Sequence, residues 1–334
     1  KKVLAPVDPA TFKADPAAME RAVTPNTVLM VSSAVSYAHG VVDPVPELGR
    51  IALQHDIFLH VDGCIGAFLL PYFRRLGDEF PDFDFRVPGV TSISMDWHKY
   101  AYCPKGASVI LYRNKQIRKH QLYACADWPG YTIINSTIQS SKSAGPLAAT
   151  WAVLNLIGDD GYLEIARRTR EATQRIVAAL DRMADLRVMG RPESSLVAFT
   201  SDTLDVFHII DDMRDRGWYI QPQLAYPGSP ENIHLSVSAV SLDQVDAVLQ
   251  DLRECVAAVK KRGPRDVAAT TKVLEGIDPD KLSDDEFGAM LTMAGVSRGG
   301  KLPTRMAGIN GLLNAMSPRL RERLLVEFLN DMFV

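Results

Sequence analysis

The sequence predicts an α/β protein with a mixed, mostly parallel sheet in a large domain and a smaller α+β domain on the C-terminal side. Two observations lead to this prediction. Short apolar runs alternate with helical patterns in the first part of the chain, as in sheets that helices cover on both faces. Beyond Gly158 the helical segments become longer and the apolar runs fewer, which is typical of an α+β arrangement.

The elements of the large domain follow one another up to residue 112. Each predicted strand is an apolar run bounded by turn residues, and each predicted helix has apolar residues at a helical period. In chain order they are a helix at 15–23, a strand at 28–31, a helix at 46–55, a strand at 57–61 that ends at Asp62, a helix at 65–76, and strands at 90–94 and 107–112. Asp62 and Lys99 both follow strand ends, where open α/β sheets bind ligands.

The rest of the chain is predicted to form a small domain and a helical appendage. Its elements are a helical run at 145–187 interrupted near Gly158, strands at 196–200 and 233–237, and helices at 204–216 and 242–261. We therefore predict part of a large domain at 1–157, a small domain at 158–262 and a helical appendage at 263–334.

Composition and charge exclude several classes of protein. The 334 residues are 47% hydrophobic, which suffices for a substantial core. The 40 acidic and 37 basic residues are mixed along the chain, so no basic block is present to bind nucleic acid. With no apolar run long enough to cross a bilayer and no signal peptide at Lys1, a cytoplasmic location is expected. The four cysteines form no Cys-x-x-Cys pair, which argues against a zinc site or a disulfide framework.

Two short motifs place reactive groups at strand ends. His60-Val61-Asp62-Gly63-Cys64 puts an acid at the end of an apolar strand, where burial penalises the charge unless a cation compensates it. Asp96-Trp97-His98-Lys99-Tyr100 puts an acid, an imidazole and an amine after the following strand. Enzymes that use pyridoxal 5'-phosphate (PLP) need such a pair: a lysine that holds the cofactor and a carboxylate at its pyridine nitrogen. Taken singly, Asp62 is also explained as a cap of the helix at 65–76, and Lys99 as part of a surface turn.

Four longer blocks of the sequence are specific enough to indicate a family. They span residues 38–46, 60–66, 83–94 and 98–106. In this order they resemble the group II PLP-dependent decarboxylases, a family with the PLP-dependent transferase-like fold (fold type I). Asp84-Phe85-Arg86-Val87-Pro88-Gly89-Val90-Thr91-Ser92-Ile93-Ser94 and Pro104-Lys105-Gly106 favour the sphingosine-1-phosphate lyase branch of this family. The resemblance covers nearly the whole chain up to about Lys261 and implies a homodimer.

The resemblance implies a cofactor site made of four residues. Lys99 is expected to form the Schiff base with PLP, and Asp62 is expected to lie at the pyridine nitrogen. Cys64 is expected to lie against the ring. His98 is expected to touch the cofactor phosphate or the substrate.

Three further residues match positions of the lyase pattern that face the substrate or its phosphate. Tyr37 and Lys105 match active-site positions, and Ser141 matches a serine that contacts a phosphate near the subunit boundary. Each has a simpler explanation: Tyr37 as a loop aromatic, Lys105 as a solvated lysine and Ser141 as a helix cap.

The implied reaction is a retro-aldol cleavage of the C2–C3 bond of a phosphorylated sphingoid base, which gives a long-chain aldehyde and phosphoethanolamine. The base that accepts the C3 hydroxyl proton is left open among Lys99, Lys105, Tyr37 and a phosphate oxygen of the substrate. Two other functions are also left open: a group II amino-acid decarboxylase and an inactive binding or scaffold fragment.

The sequence departs from the lyase pattern in two places and lacks part of it. Trp97 and Ala101 stand where lyases commonly have Thr and Gly, so added bulk is expected near the cofactor. The N-terminal half of the family, with its Gly-rich phosphate loop and a histidine stacked on the ring, has no counterpart before Lys1. We therefore expect part of the cofactor site to come from residues outside this sequence.

Overall fold

A computed structural model describes residues 1–139, 141–263, 283 and 303–331. The chain divides into two compact units. The first comprises Lys1–Arg175, Met189–Val197 and Ser236–Asp243, and the second comprises Ile176–Val188, Ala198–Leu235 and the described part of Gln244–Val334. The domain limits at 157 and 262 stay a prediction, and most of the predicted appendage at 263–334 lies outside the described residues.

A four-stranded sheet forms the centre of the first unit. Its strands are, in spatial order, β1 (Leu29–Ser33), β2 (Phe58–Asp62), β3 (Val90–Asp96) and β4 (Ser108–Tyr112). β1, β2 and β3 are parallel, and β4 is antiparallel to β3. The sheet confirms the predicted mixed, mostly parallel arrangement. It also brings the carboxyl ends of β2 and β3 to one edge.

Three helices accompany this sheet: α1 (Pro16–Arg21), α2 (Val45–Gln54) and α3 (Gly66–Arg75). The side chain of Asp15 caps α1, since it accepts hydrogen bonds from the N–H groups of Ala17 and Ala18. α2 is amphipathic, and its buried face joins the core cluster formed by the sheet. Burial of each large aliphatic side chain in such a cluster stabilises the fold by about 1.5–3 kcal/mol.

Apolar side chains of β1 and β2 are exposed on one face of the sheet. Leu29 and Val31 are exposed, whereas Met30 and Ser32 between them are buried. Phe58 at the start of β2 is exposed as well. Because successive side chains of a strand point to opposite faces, one face at this end of the sheet packs into the core and the other is open. Within the described residues, the predicted cover of helices is therefore present on only one face here.

The apolar pattern does not predict three short elements that follow β4. These are α4 (Lys115–Arg118), β5 (Tyr123–Cys125) and β6 (Ile133–Asn135). Asn114 caps α4 by accepting hydrogen bonds from two backbone N–H groups, and β5 pairs with β6 as an antiparallel hairpin. Elements of three or four residues are too short to show a periodicity.

Helix α5 (Gly145–Leu180) confirms the predicted long helical run and its interruption at Gly158. Gly158 has φ 64° and ψ 176°, a conformation that glycine adopts readily because it lacks a Cβ. The helix ends at Leu180, before the predicted limit at residue 187, and Arg187–Val188 forms a strand, β7.

A second sheet with its helices confirms the predicted smaller α+β region. The sheet has the order β7-β8-β10-β9, where β8 is Leu196–Thr200, β9 is Gln221–Gln223 and β10 is Asn232–Ser236. The helices are α6 (Val206–Asp215), α7 (Val245–Arg262), α8 (Ala307–Ala315) and α9 (Pro318–Asp331). Among the described residues, no helix combines the length and apolar character that crossing a bilayer requires.

A buried carboxylate anchors α8 to α6. Asp211 of α6 is only 2% exposed, and it accepts hydrogen bonds from the backbone N–H groups of Met306 and Ala307 at 2.7 and 2.9 Å. Arg305 adds ion pairs to Asp212 and Asp215 of the same helix. The N-terminal N–H groups of α8 are therefore capped by a different helix.

We predict that Gly66→Ala lowers the free energy of unfolding by about 1–3 kcal/mol, because a Cβ at Gly66 would collide with the backbone carbonyl of Ala34. Urea unfolding followed by circular dichroism measures this change. Gly308→Ala in α8 is the matched control, because among the described residues the added Cβ would meet no atom within 4 Å beyond the adjoining residues and backbone of its own helix. Equal stability of Gly66→Ala and the parent chain would contradict the prediction.

Candidate active site

Asp62 lies at the carboxyl end of β2 and is held there by two hydrogen bonds. Its Oδ1 accepts from the backbone N–H of Cys64 at 3.0 Å and from the hydroxyl of Ser94 at 3.2 Å. Ser94 is the register partner of Asp62 on β3. Helix α3 begins after Ile65 without a side-chain cap, so the explanation of Asp62 as a helix cap is wrong.

Lys99 lies in a turn that follows directly on β3. The turn is held by backbone hydrogen bonds from Lys99 N–H to Asp96 O at 3.3 Å and from His98 N–H to Ala107 O at 3.1 Å. The Lys99 ammonium pairs with the Asp96 carboxylate, with 3.0 Å between Nζ and Oδ2. A half-buried, backbone-bonded turn with an ion pair is not the solvated surface turn that was the alternative explanation.

Asp96 belongs to the site although the sequence did not single it out as a functional residue. Its Oδ1 accepts a 2.5 Å hydrogen bond from the hydroxyl of Ser108, its register partner at the start of β4. Burial raises the pKa of Asp96, but the hydrogen bonds from Ser108 and Lys99 outweigh burial and leave that pKa below its ordinary value. Asp96 is thus an ionised carboxylate near neutral pH.

The ring of His98 is oriented by the backbone. Its Nδ1 lies 3.0 Å from the carbonyl oxygen of Ala107, which only accepts, so Nδ1 carries a proton and donates it there. In the neutral ring Nε2 then has the free lone pair, and it lies 3.7 Å from Oδ2 of Asp96. Nε2 is therefore a hydrogen-bond acceptor in the neutral ring, or a donor when the ring is protonated.

Cys64 connects Asp62 and Lys99. Its backbone N–H donates to Asp62, and its carbonyl oxygen accepts from the N–H of Asp96, which pairs with Lys99. Burial is the main reason that the pKa of its thiol is raised. Burial lowers the pKa of Lys99, but its interactions with Cys64 and with the Asp96 carboxylate outweigh this and raise it overall. Asp62, Cys64, His98 and Lys99, four of the residues predicted from the sequence, therefore lie in one cluster with Asp96.

Tyr100 anchors the lysine turn in the core. Its hydroxyl donates to the carbonyl oxygen of Val237 at 2.9 Å. Burial raises the pKa of Tyr100 to about 12, with smaller contributions from the neighbouring Tyr102 and Tyr37. The side chain of Tyr37 is exposed, and its role stays a prediction.

Lys105 and Ser141 are exposed, and no hydrogen bond or ion pair joins either to the cluster in the part of the chain that the structure describes. The helix-cap explanation of Ser141 is wrong, because Ser143 rather than Ser141 accepts the hydrogen bond from the N–H of Gly145. The roles of Lys105 and Ser141 stay a prediction.

Trp97 and Ala101, the two residues that differ from the family pattern, pack into the core beside α5. The ring of Trp97 contacts that of Phe68 edge to face, with 5.8 Å between centroids. Ala101 is fully buried, and its carbonyl oxygen accepts a 2.8 Å hydrogen bond from the hydroxyl of Tyr162. The added volume of Trp97 and Ala101 is thus accommodated in an aromatic cluster.

The cluster has the groups that PLP needs. Lys99 supplies a primary amine, and Asp62 uses one carboxylate oxygen for both of its hydrogen bonds. Within the described residues no donor is bonded to its other oxygen, which a protonated pyridine nitrogen would satisfy. An imidazole and a thiol lie beside them. The residues present therefore fit this cofactor.

We predict that Tyr100 stays protonated until about pH 12. Because the folded-state pKa lies above the ordinary value of 10.0, the neutral phenol stabilises the fold, and that contribution is lost as the pH rises from 10.0 to about 12. The free energy of unfolding of the parent chain should fall more steeply over this range than that of Tyr100→Phe. The difference in tyrosinate absorbance between the parent chain and Tyr100→Phe reports the ionisation of Tyr100. A midpoint of this difference near pH 10.0 would contradict the prediction.

Comparison with known families and structures identifies relatives of this chain. The conserved domain of pyridoxal-dependent decarboxylases matches residues 10–202, and a C-terminal HTH domain of pyridoxal-dependent enzymes matches residues 268–331. The chain is similar to sphingosine-1-phosphate lyase from Arabidopsis thaliana, 42% identical over 255 residues, and to that from Dictyostelium discoideum, 38% identical over 254 residues. These alignments cover 76% of this chain and 46% and 47% of the relatives.

Solved structures give the same result. A sphingosine-1-phosphate lyase from Burkholderia pseudomallei superimposes with a TM-score of 0.74 at 39% identity, covering 82% of this chain and 61% of that one. Glutamate decarboxylase from Lactobacillus brevis shares the fold, with a TM-score of 0.66 at 19% identity, covering 76% of this chain and 60% of that one. The chain spans about half the length of the curated relatives it matches. Since the decarboxylase domain matches more than half of the 334 residues, the fold type I expectation is confirmed and the chain belongs to the pyridoxal-dependent decarboxylase family.

Proposed function

We propose that this chain is part of a PLP-dependent carbon–carbon lyase that cleaves the C2–C3 bond of phosphorylated sphingoid bases. The observation that carries the proposal is the cluster at the ends of β2 and β3. There the backbone of Cys64 hydrogen-bonds to the Asp62 carboxylate and to Asp96, which pairs with the Lys99 amine. The similarity to sphingosine-1-phosphate lyases, at 34–42% identity across several curated relatives, supports the choice of substrate.

Four residues would hold the cofactor. Lys99 would bind it covalently, Asp62 would keep the pyridine nitrogen protonated, Cys64 would lie against the ring, and His98 would present a nitrogen to its phosphate or to the substrate. When bound, PLP supplies an electron sink for the bond that breaks next to the substrate amine. Asp62 suits its role because its position is fixed by Cys64 N–H and Ser94.

Three exposed residues would act on the substrate. Cleavage of the C2–C3 bond needs a base for the C3 hydroxyl proton, and Tyr37 and Lys105 are candidates. A cationic Lys105 would otherwise bind the substrate phosphate, and Ser141 would donate a hydrogen bond to a phosphate oxygen. The products would be a long-chain aldehyde and phosphoethanolamine. The cytoplasmic location stays a prediction.

We predict that the protein of which this chain is part, supplied with PLP and a phosphorylated sphingoid base, releases phosphoethanolamine and a long-chain aldehyde in equal amounts. Borohydride should trap PLP on Lys99 in the parent chain and in Lys115→Ala, a control on the exposed α4. In Lys99→Ala, borohydride should trap no PLP at position 99 and no products should form, because no amine is left at that position. Mass spectrometry of the labelled peptide and of the products measures both.

Other outcomes identify other functions. Carbon dioxide released from an amino acid, with no phosphoethanolamine from the lipid, would indicate an amino-acid decarboxylase. A parent chain from which borohydride traps no PLP would indicate an inactive binding or scaffold fragment.

We also propose that the chain acts as a homodimer. Nine large apolar side chains between residues 122 and 156 are exposed: Leu122, Tyr123, Trp128, Tyr131, Ile134, Ile138, Leu147, Trp151 and Leu156. Soluble monomers rarely expose so many, whereas subunit interfaces are enriched in aromatic residues. A second copy of the chain would cover this exposed apolar group.

We predict that Trp151→Asp shifts the protein from dimer to monomer, because a charge at this 69% exposed position would be buried without a partner. Sedimentation velocity measures the change. Val240→Asp is the matched control, since Val240 is 70% exposed but lies outside the exposed apolar group. A parent chain that sediments as a monomer at high concentration would refute the homodimer.

A further inference from the structure

The Asp96 carboxylate has a close side-chain partner on each oxygen, and Nε2 of His98 lies 3.7 Å from Oδ2. Ser108 donates to Oδ1 at 2.5 Å, and the Lys99 ammonium lies 3.0 Å from Oδ2. The backbone N–H of Asp96 also donates to the carbonyl oxygen of Cys64 at 3.2 Å. Both the main chain and the side chain of Asp96 are therefore fixed, and Oδ2 is directed at the lysine that would bind the cofactor.

The groups that face Lys99 differ in charge. Asp96 comes from the end of β3, Cys64 and Asp62 from the end of β2 and the residues after it, and His98 from the turn itself. Within the described residues, Asp96 is the one carboxylate in an ion pair with Lys99. The oxygen of Asp62 that is hydrogen-bonded accepts instead from neutral donors, the N–H of Cys64 and the hydroxyl of Ser94. The two acids are thus arranged for different partners.

We propose that Asp96 is a positioning residue that holds Lys99 as an ammonium ion whenever its amine is free of the cofactor, with Ser108 orienting the carboxylate. The inference rests on the proposed function, which gives Lys99 the cofactor. The ion pair keeps Nζ beside the ends of β2 and β3 when no covalent bond does so. The side chains of Lys99 and Asp96 are each less than one third exposed, so solvent screens the ion pair only in part.

The proposal narrows the choice of base for the C3 hydroxyl proton. A Lys99 amine that already carries its proton and pairs with Asp96 cannot accept another. It is a proton donor, and a proton that leaves it must go to the substrate or to solvent while Asp96 stays ionised. The hydroxyl proton must then go to Tyr37, Lys105 or a phosphate oxygen of the substrate.

The test measures the reactivity of Lys99 in the cofactor-free chain. Acetic anhydride acylates neutral amines, so labelling of Lys99 as a function of pH, read by peptide mass spectrometry, reports its protonation. Asp96→Asn should move the Lys99 profile to lower pH and raise the labelling rate near neutrality about threefold to tenfold, because the amine loses its counter-ion. Ser108→Ala should move the profile in the same direction by less.

The matched control removes a carboxylate from another lysine pair. Oε2 of Glu193 lies 2.8 Å from Nζ of Lys13. Glu193→Gln should therefore change the labelling of Lys13 and leave that of Lys99 as in the parent chain. A Lys99 profile in Asp96→Asn and Ser108→Ala that superimposes on the parent profile would overturn the proposal. If Asp96→Asn does not fold, Ser108→Ala alone decides. Neither cofactor nor substrate is present, so the result is independent of whether the chain cleaves a sphingoid base.

Discussion

The parallel register of β2 and β3 is the constraint on which the rest of the site depends. It pairs Asp62 with Ser94 and so ends both strands at the same edge of the sheet. The turn after each strand then delivers its reactive side chain, Cys64 from one and Lys99 from the other, to a common place. A slip of one residue would send Asp62 to the opposite face of the sheet, because strand side chains alternate.

The site contains two carboxylates that differ in their surroundings rather than in their chemistry. Asp62 is bonded to neutral donors through one oxygen, so its charge is left for a ligand. Asp96 has both oxygens engaged by residues of the chain, one with a hydroxyl and one with a cation. Placing them on neighbouring strands keeps the acid for the cofactor apart from the acid for the lysine. The antiparallel strand β4 is needed for this, because it supplies Ser108.

Sequence reasoning found the strand ends and the reactive residues there, because apolar runs and polar residues after them are local features. It did not find the role of Asp96, because the partner Ser108 is brought to it by the register of β3 and β4. It also did not find the packing of Trp97 against Phe68, because the direction in which a side chain packs depends on neighbours that are distant in sequence. The hairpin β5–β6 was missed because its strands have only three residues each.

The two glycines that flank Cys64 and Ile65 affect how mutational data on this site are to be read. A Cβ at Gly63 would lie 2.7 Å from Cβ of Ala67 and 2.9 Å from the carbonyl oxygen of Ser94, and one at Gly66 would meet the carbonyl of Ala34. A saturation scan across this stretch would thus show an unbroken run of intolerant positions. Only some positions of that run would be inactive because a reactive group is lost. At the two glycines, inactivity would result from displacement of the backbone. A scan that measured activity without folding would count both kinds of position as catalytic.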